Sequence, residues 1–279
     1  MARRFICRRD AKAMQRPDGT YSPARRYEGD AKFDLPWSMS DVTDHLNGKR
    51  TYGHYLLDAE SKVKLFCLDV DLNKDPGTWM QRPDLALLGD THYEPEVIEQ
   101  WFLENSHAVP TPSPRNDWRD RSHPGRAWYK MQLRTLAEKF SSRISSELGI
   151  PTACSYTGNK GIHVYGFTGH IPAAAARAGA EMVLRSFGSF EPKVGEDIFW
   201  HDTNLDPSDG YSNYTIEVFP KQDAIPAGGY GNLLRLPMGR NLKNPSDPCF
   251  FIDQRREHTT LAPHPDPVAL LTNGNPWKD

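Results

Sequence analysis

Long apolar runs are missing from this 279-residue chain, and so is anything with the composition of a secretory leader. No stretch approaches the length a bilayer-spanning helix needs. The opening Met-Ala-Arg-Arg-Phe-Ile-Cys-Arg-Arg is charged from its third residue and lacks an apolar core. We therefore expect a soluble, intracellular, cytoplasmic protein with no membrane partner. Cysteine is scarce and scattered: Cys7, Cys67, Cys154 and Cys249 include no Cys-x-x-Cys pair. That spacing argues against a disulfide framework or a structural zinc site, and no zinc is expected. Cys67 and Cys154 lie within apolar runs and read as small buried hydrophobes. There is no internal repeat. Nor is there a strong charge of one sign, since the net charge is −2.

The distribution of charge says more than its sum. Residues 1–32 carry nine basic side chains against four acidic ones, an excess of five that leaves −7 for the remainder. Arg3, Arg4, Arg8, Arg9, Arg25 and Arg26 belong to this segment. Such a face suits a phosphate backbone, and it equally suits a solvated surface.

Hydrophobic residues at 38% and charged residues at 25% are compatible with a globular core, as one large domain or two intimately packed subdomains. Residues 38–48 read as a short helix with a serine cap and a closing glycine. Lys64–Asp71 reads as a strand, apolar until its two acids. Val97, Ile98, Trp101 and Phe102 have helical spacing within Glu94–Asn105, and Pro110, Pro112 and Pro114 mark an exposed loop. The clearest helix covers roughly 126–148: Trp128, Met131, Leu136, Phe140, Ile144 and Leu148 form a packing stripe, and Gly149 ends it. Thr152–Thr157 and Ile162–Phe167 form a hairpin about Gly158-Asn-Lys-Gly161. Pro172 opens an alanine-rich helix running to about Ser186. Residues 188–213 read as a polar loop. Asp202-x-Asn204-x-Asp206 is not a calcium loop, because Pro207 and Asn213 stand where glycine and glutamate are needed. Tyr214–Phe219 is a further strand, and Leu233–Met238 an apolar run. The whole reads as α+β: a mixed, largely antiparallel sheet with flanking helices.

Three segments have chemical character. Asp69 and Asp71, two apart on a strand, face the same side, while Phe66, Leu68 and Val70 face the other. Carboxylates ~7 Å apart at a strand end can grip divalent ions and phosphate. Exposed acids at a strand end are also common, and sugar-nucleotide transferases use the same short pattern. The Ser155–Val164 hairpin offers turn amides, the Lys160 ammonium and the His163 imidazole, a set suited to a triphosphate. The plainer reading is a surface hairpin with a core histidine. Glu217 stands amid the apolar strand Tyr214–Phe219 and needs a partner, either a shared metal or Lys221 or Arg235. Arg235, amid leucines, needs an anion, carboxylate or phosphate.

Taken in order, Phe66-Cys-Leu-Asp69-Val-Asp71, Ser155…Gly-Asn-Lys-Gly-Ile-His163-Val, Ile-Glu217-Val-Phe-Pro-Lys221 and Leu-Arg235-Leu-Pro-Met-Gly resemble the archaeo-eukaryotic primase superfamily. They are most similar to the primase-polymerases of phages, plasmids, CRISPR-associated loci and conflict systems. His45-Leu-Asn-Gly48 and Thr51-Tyr-Gly-His-Tyr-Leu56 resemble the segment preceding the first motif, so the likeness covers roughly residues 40–242. It implies an RRM-like catalytic core, with residues 1–245 as the catalytic domain (1–60 a basic N-terminal part, 61–245 the core). Residues 246–279 would be a proline-rich tail or the start of a linker. It implies that Asp69, Asp71 and Glu217 bind two Mg2+ or Mn2+ ions. His163, Ser155, Asn159, Lys160, Lys221 and Arg235 would serve the incoming nucleotide. The implied partners are a single-stranded DNA template, (d)NTPs and a primer strand, with a fused or associated helicase or a CRISPR or phage replication protein. Many superfamily members have aspartate where Glu217 stands. The activity implied is primer synthesis or extension. A primer-extending polymerase, a non-catalytic nucleotide- or nucleic-acid-binding module and a glycosyltransferase are the alternatives.

Overall fold

The computed structural model describes residues 1–72, 125–203, 214–255 and 261–272. The helix expected over Glu94–Asn105, the prolines 110–114 and most of the rejected calcium pattern lie outside the described residues. The side chains of Trp128 and Met131 lie outside them too.

In chain order the helices are α1 (Ala2–Phe5), α2 (Met39–Leu46), α3 (Gly125–Leu148), α4 (Ala173–Arg185) and α5 (Pro267–Thr272). The strands before α3 are β1 (Ala13–Gln15), β2 (Tyr21–Pro23), β3 (Arg25–Glu28), β4 (Ala31–Asp34), β5 (Tyr52–Tyr55), β6 (Lys62–Val63) and β7 (Phe66–Leu72). After it come β8 (Thr152–Tyr156), β9 (Gly161–Gly166), β10 (Ile171–Pro172), β11 (Phe190–Lys193), β12 (Glu196–Asp202), β13 (Tyr214–Phe219), β14 (Leu233–Arg235) and β15 (Phe250–Phe251). A seven-stranded sheet runs β11-β12-β13-β7-β9-β8-β15, and a four-stranded one β14-β5-β1-β2. Two ribbons, β10-β6 and β3-β4, complete the set, and every pairing among the described residues is antiparallel. The class is α+β. No described helix is long and apolar enough to cross a membrane.

Alternation along β7 places the large sheet. Phe66, Leu68, Val70 and Leu72 are buried, while Asp69 and Asp71 are only half-buried. The apolar row faces α3 and α4, which pack against β7, β8, β9 and β13. Leu133, Ala137, Phe140 and Ile144 of α3, with Ala176, Ala180 and Val183 of α4, are fully buried in this layer. Each large aliphatic or aromatic side chain so covered contributes roughly 1.5–3 kcal/mol. Cys154 donates its thiol to Ala137 O at 3.4 Å, which fixes the helix side of β8. Both Cys67 and Cys154 are buried hydrophobes, as their context implies.

The end signals hold where they are described. Ser38 and Asp41 form a capping box at α2, and Gly149, with φ +63°, follows α3. Residues 188–203 differ from the loop expected. They form the β11–β12 hairpin at one edge of the large sheet, turning at Gly195 with φ +78°. Phe190, Trp200 and Asp202 point inward and are buried, whereas Glu191 and Lys193 are exposed. An edge strand with one wet face carries many polar residues, and by composition it passes for a loop.

The described part of the proline-rich segment beyond Pro245 is likewise no tail. Phe250–Phe251 pairs with β8, and Ile252, Leu261 and Leu271 enter the core. Asp247 accepts from the Tyr156 hydroxyl at 2.6 Å. A two-residue strand is too short to leave a periodic signal.

Candidate active site

Register aligns the chemistry that the motifs carry. Asp69 lies opposite Glu217 on β13 and opposite His163 on β9, and His163 lies opposite Ser155 on β8. Directly paired residues share a face. Glu217, Asp69, His163 and Ser155 therefore form one row across the middle of the large sheet, on the side away from α3 and α4. Asp71 stands farther along β7, opposite Gly161 and Thr215. Gly161 is required at that rung. A Cβ there would meet Asp71 Oδ1 at 2.1 Å and the Val70 carbonyl at 2.5 Å.

The acids crowd one another. Burial, then the charges of Asp71 and Glu217, push the Asp69 carboxyl well above the usual carboxylate range, opposed by Arg235 and Lys160. Each outer acid faces an ammonium. Lys160 Nζ is 2.6 Å from Asp71 Oδ2, and Lys221 pairs with Glu217. Burial, followed by the charge of Arg235 and the neighbouring His54, holds His163 well below the usual imidazole range, so the ring is neutral. Its Nε2 faces Asp69 Oδ1 at 3.5 Å and its Nδ1 lies 2.9 Å from the Tyr165 hydroxyl. With the ring proton on Nε2, Nδ1 accepts from Tyr165, whose oxygen stands 3.0 Å from Ser155 Oγ. Ser155 is thus buried behind His163.

A cavity of about 380 Å³ opens over this floor. Among its lining residues are Asp69, Asp71, Asn159, His163 and Arg235. Ser155, Lys160, Glu217 and Lys221 stand outside the lining. Arg235 Nη2 donates to the Thr157 carbonyl at 2.6 Å, and Asn241 Nδ2 donates to the same oxygen at 3.0 Å. Glu217 finds Lys221, one of the partners anticipated for it.

The family model for the TOTE conflict system archaeo-eukaryotic primase domain matches residues 21–275. The chain belongs to that family. No curated protein matches it. Membership makes the chain a primase-like nucleotidyltransferase domain, and four motif segments of the primase domain meet around one cavity.

The opposite wall of the primase cavity comes from the N-terminal sheet, through Gln15, Thr20 and Tyr21, with Asn241 and Lys243 beside them. Gln15, Thr20 and Tyr21 carry no sequence signal of their own, because residues 1–32 stand out only by charge. The local signal was Gly19 in a tight turn, with φ +84°, packed against Lys243. The Tyr21 hydroxyl is buried with no hydrogen-bond partner among the described residues, and burial pushes its phenol up.

The basic segment is more engaged than its charge implies. Arg4 donates to Leu271 O and lies over Phe167. Arg8 pairs with Asp10 and lies over Tyr230. Arg25 bonds Asp34 and Tyr230, and Arg26 pairs with Glu28. Arg3 and Arg9 are exposed.

Proposed function

We propose that this primase domain carries out metal-dependent, template-directed nucleotidyl transfer on single-stranded DNA, making or extending primers from (d)NTPs. The observation that carries the reading is the row Glu217–Asp69–His163, with Asp71 beside it, beneath a cavity bordered by Arg235. The donor set fits divalent cations. Asp71 and Glu217 already raise the proton affinity of Asp69, and a bound divalent cation relieves the same crowding. Asp69, Asp71 and Glu217 would hold two Mg2+ or Mn2+ ions. Bound there, such ions activate a primer 3′-hydroxyl and neutralise charge on the triphosphate and its pyrophosphate.

The remaining steps fall to the chain's own groups. His163 offers a neutral N–H donor to phosphate at the floor of the cavity. Tyr165 and Ser155 act through it as positioning residues. Arg235 and Asn159 border the triphosphate. Lys160 and Lys221 pair with Asp71 and Glu217, and would turn to phosphate oxygens where cations hold those carboxylates. No side chain acts as a nucleophile, and positioning with charge neutralisation carries the catalysis. We take the large sheet as an RRM-like core. Arg3 and Arg9 are the arginines best placed for a template backbone. A helicase, fused or associated, is the partner such an activity calls for.

The deciding experiment is nucleotide incorporation on single-stranded DNA without a primer, in Mg2+ or Mn2+, beside Asp69→Ala. Metal-dependent products that vanish in the variant establish priming. Extension of an added primer alone reduces the function to a polymerase. Full activity in a folded Asp69→Ala or Asp71→Ala protein removes that acid from the mechanism, and no product in either format leaves a binding module.

A further inference from the structure

We infer that Cys7, Asp58 and His170 form a zinc site, separate from the acids of the sheet, that pins the N-terminal segment to two loops of the core. Their ligating atoms all lie within 4.8 Å of one another. Cys7 Sγ is 3.8 Å from Asp58 Oδ2, and the same oxygen is bonded to His170 Nε2. Tetrahedral zinc, with ~2.3 Å to sulfur and ~2.0 Å to nitrogen and oxygen, needs ligand separations of roughly 3.3–3.5 Å. Cys7 has to close on the carboxylate by only about 0.3 Å, while the histidine–carboxylate contact has to open by more than that to admit the ion.

The carboxylate is oriented from behind. Asp58 Oδ1 accepts from the amides of Glu60 and Lys62, both at 3.0 Å, which leaves Oδ2 turned to Cys7 and His170. Outer partners of this kind fix a ligand before the ion arrives. The backbone is fixed as well: Asp58 and Lys62 close a turn at 2.9 Å, and β6–β10 pairing ties Lys62 to Pro172 beside His170. Lys64, the nearby cation, has its ammonium on the carbonyls of Ile6 and Arg3.

A thiol, an imidazole and one carboxylate select zinc over the hard cations proposed for the sheet. Burial and then the Asp58 charge push the Cys7 thiol up to about 11. Metal entry releases the Cys7 thiol proton to solvent as the sulfur–zinc bond forms. The His170 side chain is 48% exposed, which leaves an entry path and room for a water as fourth ligand. No linear cysteine pattern exists to announce such a site, because its ligands come from three distant segments.

Cobalt(II) provides the test. The full chain, stripped with chelator, should bind one Co2+ with a thiolate-to-cobalt charge-transfer band, and Zn2+ should displace it. Cys7→Ser should lose the band. His170→Ala, at an exposed position that leaves the fold intact, should weaken Zn2+ binding by more than the roughly 10–100-fold typical of a lost outer partner. Asp69→Asn and Asp71→Asn should retain the band. Zn2+ should raise the melting temperature of the parent and not of Cys7→Ser. Absence of the band in the parent, its survival in Cys7→Ser, or unchanged affinity in His170→Ala each overturns the assignment.

Discussion

Substituting Gly161 by alanine tests the link between sheet geometry and chemistry. Against ordinary contact near 3.4 Å, the new methyl stands about 1.3 Å too close to Asp71 Oδ1 and about 0.9 Å too close to the Val70 carbonyl. The carboxylate can rotate away, but a backbone carbonyl in mid-strand cannot. β7 and β9 must therefore part by most of an ångström at the Asp71–Gly161 rung, and the amide of Leu72, 3.1 Å from Lys160 O, loses its partner. Overpacking costs about 1–3 kcal/mol and a lost backbone bond about 1 kcal/mol. The sum, roughly 2–4 kcal/mol, lowers the melting temperature by about 4–16 °C for a chain of this size. Displacing Asp71 by ~1 Å should cut incorporation about 100-fold at temperatures where the variant is fully folded. Gly166→Ala on the same strand is the control, since the three atoms nearest its methyl all belong to the Phe66 ring, the first at 2.5 Å. It should lose stability and keep its rate per folded molecule. Calorimetry and single-turnover incorporation read the two effects separately. A Gly161→Ala protein with parental rate and melting temperature would refute the close approach of the strands. One that is destabilised but fully active would refute the role of Asp71.

Three further outcomes are expected. His45 is fully buried and titrates near 4 rather than 6.5, chiefly through burial. The unfolded chain therefore binds more protons between these values, and stability falls as pH drops through them, by on the order of 3 kcal/mol from this group. Urea midpoints across pH 4–6.5 should show that slope, flatter in His45→Gln, and equal slopes would count against it. Arg235→Ala removes a charge-assisted donor worth about 1.5–3 kcal/mol and should raise KM for nucleotide roughly 10–100-fold; DNA affinity should stay as it was in a filter-binding assay. Arg3→Ala and Arg9→Ala should each lower the salt slope of single-stranded DNA binding by about 0.7 per lost phosphate contact, and an unaltered slope returns these arginines to plain surface.

Legibility in the sequence followed periodicity. β7, the β8–β9 hairpin, β13 and α4 each have a clean pattern and a marked end, so the acids and His163 could be placed on strands. Which strands are neighbours is a tertiary fact. That is why the pairing of Asp69 with both Glu217 and His163 emerges only from the register. Tyr21, Gln15 and Lys243 reach the cavity through the short strands and turns of the N-terminal sheet, whose three- or four-residue elements carry no period. Ser155 illustrates a different limit. Alternation sets it on the same face as His163, but its hydroxyl lies buried against Tyr165, a contact that no sequence pattern announces. Cys7 reads as an isolated residue in the sequence and finds Asp58 and His170 only through the β6–β10 ribbon.

The strand order of the large sheet also dictates when the proposed active site can assemble. The central strand β7 is made early, yet both of its neighbours, β9 and β13, come from beyond α3. Arg235 arrives later still, on a strand that must return to the N-terminal sheet. During synthesis the two aspartates therefore wait on an unpaired strand, with no histidine, glutamate or arginine to complete them. Closing such long loops is slow, and an open apolar edge invites association with other chains. A chain cut short before Tyr214 would bear the most conspicuous motif of the domain on a strand still lacking its β13 neighbour.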